Sequence, residues 1–316
     1  MNKADLAFVF PGQGSQAVGM LKDFSDHAIV KQTFQEASEL LQDDLWALAQ
    51  NGPKETLNQT IKTQPIMLTA GVATWRLWQS QSDIRPSKLA GHSLGEYSAL
   101  VCAEVLTFAD AIGLVAERAR LMQAAVPEGQ GAMAVVLGLT DDVVQIVCDE
   151  AKENQVCAPV NYNTPGQVVM AGNTEAIDRA CLIAKEKGAK RAQKLPVSVP
   201  SHCALMQDAA ASLHQQLQQI DMQAAKIPVV QNADVQVFES VNDIQTALAK
   251  QLFSPVRWVE TIQYFSAEGI TQAVECGPGK VLMGLGKRID KSVASRGIFD
   301  QKSLTTTLEA VEASTS

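Results

Sequence analysis

The sequence predicts an α/β protein made of a large subdomain and a smaller subdomain inserted into it. Three observations lead to this fold class. Segments with strand and helix patterns alternate from the N-terminus onwards, which is typical of layered α/β folds. Residues 130–198 instead follow the order β-α-β-β-α-β of a ferredoxin-like unit. A glycine-flanked serine, Ser93, follows one predicted strand and opens a helix.

The large subdomain is predicted to contain residues 1–129 and 199–308. It begins with an apolar strand at residues 6–10. Helical patterns follow near residues 25–50, 66–81 and 95–104. Further strand patterns lie near residues 228–235 and 272–278. Each ends in polar residues or in Gly and Pro, where α/β proteins usually place their sites. The last residues, 309–316, are predicted to be a disordered tail.

The inserted subdomain is predicted to span residues 130–198. Its segments are the strand GAMAVVLGL, the helix TDDVVQIVCDEAKENQ, the strands VCAPVNY and GQVVMAGN, the helix TEAIDRACLIAKEKGA and the strand KLPVSV. Ligand sites often lie in clefts between two such units. We therefore expect the functional site between the two subdomains.

Composition and charge restrict the class of protein. The chain has 316 residues, 46% of them apolar, so it can bury a substantial core and should fold alone. We also expect it to be a monomer. It contains no run of about 18 apolar residues, and its N-terminus lacks the features of a signal peptide. The net charge of -8 argues against binding to nucleic acid or to a membrane surface. The six cysteines are dispersed and contain no CxxC pair, so we expect neither disulfides nor a metal site. The expected location of the protein is the cytoplasm.

Gly-His-Ser-Leu-Gly at residues 91–95 has the form of a nucleophile elbow. In this motif a strand, a sharp turn and a helix follow one another, and the glycines let the serine hydroxyl project from the sheet. Ser93 is therefore the candidate nucleophile. The backbone N–H of Leu94 would lie at the helix N-terminus, where it can receive an oxyanion. The alternative is an ordinary glycine-lined helix start.

A serine hydroxyl needs a base, and the chain contains four histidines. His27 lies at a predicted helix start, and His214 lies at the edge of an apolar helix stripe. His92 should be turned away from the neighbouring hydroxyl. His202 follows a proline where a helix begins, and a helix N-terminus favours the neutral imidazole that a base requires. A histidine in that position is as often a simple cap, so the residues leave both interpretations open.

No acidic residue completes a triad between Ser93 and His202. None of the acidic residues in that interval is a convincing third member. Asp141, Asp142, Asp149 and Glu150 fall on the first helix of the insert, where solvated charges are ordinary. Another acceptor, such as a backbone carbonyl, would then have to orient the imidazole.

The helix pattern FADAIGLVAERARLMQ places Arg118 on an apolar face. By the i, i+3, i+4 rule Arg118 shares a stripe with Leu114, Val115, Leu121 and Met122. A buried guanidinium needs an anionic partner because an unpaired buried charge is costly. That partner is either a structural Asp or Glu, which is the commoner case, or a substrate carboxylate held by a bidentate pair.

The turn after the first strand allows two interpretations. Residues 12–17, GQGSQA, formally satisfy the dinucleotide fingerprint G-x-G-x-x-G/A. That fingerprint requires a second strand ending in an acidic residue about 20 residues further on, whereas residues 28–50 have a helical pattern. An oxidoreductase is therefore the weaker hypothesis. In the other interpretation the backbone N–H of Gln13 is the second donor of an oxyanion hole.

Six segments taken in order carry a specific resemblance. They are FPGQGSQ at 10–16, GHSLGEYSAL at 91–100, ERARLMQ at 117–123, NYNTPGQVVMAG at 161–172, VSVPSHCALM at 197–206 and ECGPGKVLMGL at 275–285. Together they resemble the malonyl-CoA:acyl carrier protein transacylases of bacterial type II fatty acid synthesis. The resemblance implies an α/β-hydrolase-like large subdomain with a ferredoxin-like small one.

The resemblance also implies residue roles and a reaction. The implied roles are nucleophile for Ser93, base for His202, carboxylate binding for Arg118 with Met122 beside it, oxyanion N–H donation for Gln13 and Leu94, and orientation of the histidine by the backbone carbonyl of Gln251. Malonyl-CoA and acyl carrier protein would be the partners, in a ping-pong reaction through a malonyl-serine. No metal or other cofactor is implied, since the coenzyme A thioester is a substrate. Two small departures are Ala119, where the family often has glycine, and Cys276, where an aliphatic residue is usual.

An acidic carrier protein needs a local basic surface on this acidic chain. Two clusters are candidates. The insert cluster consists of Lys185, Lys187, Lys190, Arg191 and Lys194, and the C-terminal cluster consists of Lys280, Lys287, Arg288 and Lys291. For each single lysine, an ordinary solvated helix face is an equally good explanation.

Overall fold

In the computed structural model, residues 2–197 and 199–314 are described, and their strands form two separate sheets. The strands are β1 (Asn2–Phe10), β2 (Arg85–Gly91), β3 (Gly131–Leu137), β4 (Cys157–Thr164), β5 (Gln167–Asn173), β6 (Arg191–Lys194), β7 (Val229–Val230), β8 (Gln272–Cys276) and β9 (Ala294–Ile298). One sheet is parallel with the order β7-β2-β1-β8-β9, and the other is antiparallel with the order β4-β5-β3-β6. The predicted fold class is confirmed.

Helices cover both faces of the parallel sheet. The helices are α1 (Ala28–Leu41), α2 (Leu45–Asn51), α3 (Lys54–Leu57), α4 (Thr60–Gln81), α5 (Gly95–Cys102), α6 (Phe108–Ala125), α7 (Asp141–Lys152), α8 (Thr174–Glu186), α9 (Gln207–Leu217), α10 (Val241–Gln251), α11 (Trp258–Ala267), α12 (Val281–Ile289) and α13 (Gln301–Ala313). Phe8 of β1 packs into a core with α4 and α6, whereas Ala7 and Val9 face α11 and α12. A strand buried on both faces needs a continuous apolar run, which explains the apolar residues 6–10 of β1.

The antiparallel sheet has its own core. Helices α7 and α8 pack on one face, where Val144, Val147 and Ile177 meet Val136 and Met170 of the strands. The strand order β4-β5-β3-β6 with this connectivity is the ferredoxin-like arrangement that the pattern predicts. All four strands lie within residues 130–198.

The last strand of the insert lies earlier than predicted. KLPVSV begins at Lys194, whereas β6 ends there. Pro196 lacks the N–H that a sheet ladder requires, so the pairing with β3 involves residues 191–194 instead. Ser198, the last residue of the predicted insert, lies outside the described residues.

The edge of the antiparallel sheet is bonded to the large subdomain near the end of β2. The N–H of Tyr162 donates to the carbonyl of Val256 at 3.0 Å, and the N–H of Val256 donates to that of Val160 at 2.8 Å. Beside β2, Nε2 of His92 lies 2.9 Å from Oδ1 of Asn163 on β4. These contacts hold the insert over the turn that carries Ser93.

The prediction of a disordered tail at residues 309–316 is wrong for residues 309–313, which belong to α13. Asp300 and Ser303 form a capping box at its start, and Leu304 and Val311 are buried against the core. The cap and these buried apolar residues stabilise α13. The polar ending EASTS gives no indication of this helix in the sequence. Residues 315–316 lie outside the described part of the chain. None of the described helices is long and apolar enough to cross a membrane.

Candidate active site

Ser93 lies on a tight turn between β2 and α5. A Cβ on Gly91 would lie 1.9 Å from the carbonyl carbon of Gly95, and a Cβ on Gly95 would lie 2.0 Å from the carbonyl oxygen of Phe10. Both glycines are therefore required because backbone segments meet there. Ser93 itself has a φ of 54°, a left-handed conformation that costs a residue with a Cβ about 1 to 3 kcal/mol. The turn points the hydroxyl out of the sheet, as a nucleophile elbow does.

Asn232 holds this turn in place. Its Oδ1 accepts the N–H of Ser93 at 2.7 Å, and its Nδ2 donates to the carbonyl of Gly91 at 2.6 Å. The backbone N–H of Asn232 donates to a carboxyl oxygen of Glu96 at 2.8 Å. The strained conformation of Ser93 is thus stabilised by a buried side chain that follows β7, a neighbouring strand of the same sheet.

His202 is in contact with the serine. The Oγ of Ser93 donates to Nε2 of His202 at 2.7 Å. On the other side of the ring, Nδ1 lies 2.7 Å from the backbone carbonyl of Gln251. A carbonyl can only accept, so Nδ1 carries the proton and Nε2 is free to take one from the serine. The backbone carbonyl thus occupies the position that an Asp or Glu has in a triad.

The imidazole of His202 is kept neutral. Burial, followed by the positive charge of Arg118, lowers the pKa of His202 to about 3. A neutral imidazole at neutral pH can act as a base, whereas an imidazolium cannot. His92, by contrast, is directed towards Asn163 and is not bonded to the serine hydroxyl.

Arg118 is buried beside the nucleophile with neutral partners. Its Nη1 donates to Oε1 of Gln64 at 2.7 Å, and its Nη2 donates to Oε1 of Gln251 at 3.0 Å. Nη2 also lies 3.4 Å from Oγ of Ser93. Within residues 2–197 and 199–314, no salt bridge joins Arg118 to an acidic side chain. Of the two partners that the sequence allowed for Arg118, the structural Asp or Glu is therefore absent from the described part of the chain.

Two acidic groups act on Arg118 electrostatically, first the phenol of Tyr97 and then the carboxyl of Glu96. Burial raises the pKa of Tyr97 to about 12, so the phenol is neutral at neutral pH. Burial raises the pKa of Glu96 to about 8, so this carboxyl is mostly protonated at neutral pH. It leaves the charge of Arg118 largely uncompensated. The guanidinium also lies 5.3 Å from the centre of the Tyr97 ring, within the range of a cation–π contact.

Two backbone N–H groups belong to residues that line the same cavity as Ser93. Leu94 directly follows Ser93, and Gln13 lies on the loop after β1, which lines the same cavity. Among the described residues, neither N–H has a hydrogen-bond acceptor. The side chain of Gln13 donates to Oγ1 of Thr60 at 3.4 Å, which holds the loop against α4. Such unpaired N–H groups can receive an oxyanion that forms at the serine.

These groups surround one small cavity of about 110 Å³. Six of the seven residues singled out from the sequence line it, namely Gln13, Ser93, Leu94, Arg118, Met122 and His202. The seventh, Gln251, contacts the cavity residues Arg118 and His202 from behind. The arrangement combines a serine hydroxyl, a neutral imidazole, backbone N–H groups and a guanidinium without an acidic partner, and such a set suits transfer of a small acyl group with a negative charge.

Comparison with known proteins agrees with this chemistry. The profile of the acyl transferase domain family matches residues 7–297. The malonyl CoA-acyl carrier protein transacylase of Escherichia coli strain K12 is 53% identical over 304 residues, which cover 96% of this chain and 98% of that protein. The chain belongs to the acyl transferase family.

Solved structures in this family resemble the whole chain. A crystal structure of an acyl carrier protein S-malonyltransferase from Vibrio cholerae has a TM-score of 0.93 and 54% identity, covering 96% of this chain and 99% of that one. A malonyl-transacylase in complex with its type II PKS acyl-carrier protein has a TM-score of 0.95 and 51% identity, covering 97% of this chain and 99% of that one.

Some residues of this acyltransferase site were not identified from the sequence. Gln64 and Asn232 contact Arg118 and Ser93 directly, and Asn163 holds His92. Gln64 and Asn232 are single amide residues on a helix and a loop, where they have no periodic signal. Asn163 lies on β4 within the segment NYNTPGQVVMAG, but the resemblance assigned no role to it. The two departures from the family motifs, Ala119 and Cys276, are buried in the core and do not line the cavity.

Proposed function

We propose that this protein transfers the malonyl group of malonyl-CoA to the phosphopantetheine thiol of acyl carrier protein. One observation carries the proposal: Arg118 is buried without an acidic partner among the described residues, and its Nη2 lies 3.4 Å from the nucleophile Ser93. The carboxylate of a malonyl ester lies only one methylene beyond the ester carbonyl. It can therefore reach a guanidinium next to the serine. The names of the relatives support the same substrate and partner.

In the first half of the proposed reaction, His202 takes the proton of Ser93 as the hydroxyl attacks the thioester carbonyl. The N–H groups of Gln13 and Leu94 receive the oxyanion of the tetrahedral intermediate. When the intermediate collapses, the C–S bond breaks and His202 gives its proton to the coenzyme A thiolate. A malonyl-serine remains, with its carboxylate on Arg118.

In the second half, the thiol of the carrier protein attacks the same ester carbonyl. His202 takes the thiol proton and returns it to Oγ of Ser93 as the C–O bond breaks. The malonyl group leaves as a new thioester, and the enzyme is restored, which gives ping-pong kinetics. Neither half changes an oxidation state, so the proposed reaction requires no redox cofactor, and the proton transfers use His202 rather than a metal.

Intact-mass spectrometry tests the proposal on the purified protein. Incubation with malonyl-CoA should add one malonyl group, because thiolate departure leaves the acyl group on Ser93. The Ser93→Ala variant serves as the control and should gain no mass. Addition of holo acyl carrier protein should remove the adduct and increase the mass of the carrier protein. Absence of an adduct on the wild-type protein would overturn the proposal, and discharge by water alone would identify a hydrolase.

The two basic clusters differ in how their charges are compensated. In the insert cluster two of the five cations are compensated, since Lys187 pairs with Glu150 and Lys194 pairs with Asp178, both at 2.8 Å. In the C-terminal cluster, none of the described acidic side chains forms a salt bridge with Lys287, Arg288 or Lys291. Uncompensated cations attract an acidic protein more strongly, so we favour the C-terminal cluster for docking.

Charge reversal distinguishes the two clusters. The double variant Lys287→Glu/Arg288→Glu is expected to raise the apparent KM for holo acyl carrier protein roughly tenfold at low salt, because it reverses two uncompensated charges. Lys187→Glu/Lys194→Glu is the matched double variant in the insert cluster and should have a smaller effect, because both lysines are already paired. Steady-state transfer at several salt concentrations measures both. An unchanged KM in Lys287→Glu/Arg288→Glu, or a larger effect of Lys187→Glu/Lys194→Glu, would contradict the assignment.

A further inference from the structure

Gln64 lies on α4 and is almost completely buried beside the guanidinium of Arg118. Its Oε1 accepts from Nη1 at 2.7 Å, while its Nε2 lies 3.6 Å from the sulfur of Met122. The reverse orientation of the amide would place its NH₂ donor against the N–H donors of Arg118. The oxygen therefore faces the guanidinium, and the sulfur, a weak acceptor, receives the amide N–H.

The partners of Arg118 orient it without neutralising it. Gln64 and Gln251 each present an amide oxygen, one to Nη1 and one to Nη2. A carboxylate in either position would form a charge-assisted bond about twice as strong as that of a neutral acceptor. Such an ion pair would occupy the guanidinium and offset its charge. The amide dipoles instead fix its direction while its positive charge remains for a ligand.

The contacts of the two glutamines differ in a way that matters for testing. Gln251 also carries the carbonyl that orients His202, and its Nε2 donates to the carbonyl of Ser93 at 3.0 Å. Changing Gln251 would therefore disturb the nucleophile as well. In the described part of the chain, the side chain of Gln64 forms hydrogen bonds only with Arg118 and Met122.

We propose that Gln64 is a positioning residue that sets the preference for acyl groups with a free carboxylate. Its amide oxygen holds Arg118 towards the cavity, and its neutrality leaves the charge of Arg118 free for the substrate. The inference rests on the proposed function, because the ligand in question is the carboxylate of the acyl group. It goes further in assigning the selectivity to the neutral residue behind the arginine as well as to the arginine itself.

The decisive variant is Gln64→Glu, which keeps the shape of the side chain and adds one negative charge. The introduced carboxylate should pair with Arg118 and repel the malonyl carboxylate. We expect the ratio of kcat/KM for malonyl-CoA to that for acetyl-CoA to fall roughly 30-fold or more, mainly through malonyl-CoA. Gln79→Glu, an exposed change of the same kind on the same helix, is the control and should leave the ratio at the wild-type value.

A second variant removes the acceptor without adding charge. Gln64→Met has a similar length and volume, so it preserves packing even if a buried carboxylate impairs folding. With one orienting partner removed, the malonyl-to-acetyl ratio should fall roughly tenfold, less than in Gln64→Glu. The rate of Ser93 acetylation by acetyl-CoA, followed by intact mass, reports separately on the nucleophile and its base.

The outcomes separate this inference from the proposed function. Equal losses with both acyl groups, or an unchanged ratio in both variants, would reduce Gln64 to a packing residue and overturn the inference alone. A wild-type protein that forms no malonyl-serine would overturn the proposed function itself. A lowered ratio in both variants, with wild-type behaviour of Gln79→Glu, supports the inference.

Discussion

Replacing His202 with alanine is expected to lower the rate constant of Ser93 malonylation by roughly 10³- to 10⁴-fold. In the folded protein the imidazole Nε2 is 2.7 Å from Oγ of Ser93, and no other described side chain that could act as a base is hydrogen-bonded to this hydroxyl. The departing coenzyme A thiolate also loses its proton donor. Rapid-quench intact-mass measurements of the malonyl adduct give this rate constant directly.

His214→Ala is the matched histidine variant for this experiment. His214 lies on α9, where its ring is hydrogen-bonded to the side chain of Gln218, and it does not line the cavity. Its malonylation rate should equal that of the wild-type protein. If His202→Ala kept more than about a tenth of the wild-type rate, general base catalysis by His202 would be ruled out.

The same histidine determines the pH dependence of acylation. The neutral form is the active base, and in the free enzyme burial and Arg118 lower the pKa of His202 to about 3. The kcat/KM for malonyl-CoA should therefore stay constant around pH 6.5. The fall of kcat/KM at acidic pH, the acid limb of the profile, should occur well below pH 6.5. In Arg118→Ala the limb should move to higher pH, because the charge that lowers the pKa of His202 most after burial is removed. An inflection near pH 6.5 in the wild-type profile would contradict this account.

The depressed pKa also affects folding stability, with a defined sign. Below pH 6.5 the unfolded chain binds a proton at His202 that the folded protein does not bind until about pH 3. The contribution of this residue to the free energy of unfolding is therefore complete above pH 6.5. It is lost as the pH falls towards 3.

Arg118→Ala is expected to weaken the use of malonyl-CoA selectively. Loss of a buried charge pair costs about 2 to 5 kcal/mol, which corresponds to roughly a 30- to 5,000-fold fall in kcat/KM. Acetyl-CoA has no carboxylate, so its transfer should fall far less or should increase. Parallel measurement of kcat/KM for the two thioesters gives the selectivity, and equal losses for both would exclude a role in binding the carboxylate.

Two controls make the Arg118 result interpretable. Arg120→Ala removes an exposed arginine from the same helix, where it pairs with Glu117, and should leave both thioesters nearly unaffected. In Arg118→Ala, the amide oxygens of Gln64 and Gln251 lose their donor. Urea denaturation should therefore accompany the kinetics, so that a lower free energy of unfolding is not mistaken for lost substrate binding.

Much of this protein is visible in its sequence because the relevant signals are short in range. The elbow at residues 91–95 combines a strand, a turn and a helix within one continuous segment, and the pattern of the insert repeats with regular strand and helix periods. The burial of Arg118 follows from its place on the apolar stripe of α6. Local patterns give a wrong prediction where packing determines the structure. The polar ending of the chain indicated disorder, but burial of Val311 keeps residues 309–313 in α13.

The tertiary structure decided what the sequence left open. Whether Arg118 pairs with a structural acid depends on Gln64 and Gln251, which lie 54 and 133 positions away. The orientation of Ser93 depends on Asn232, 139 positions away. Hydrogen bonds of this kind depend on distances of a few tenths of an ångström between remote segments, and periodicity contains no information about them. The residues that could react were thus readable from the chain, whereas the neutral environment that leaves the arginine free for a ligand exists only in the folded protein.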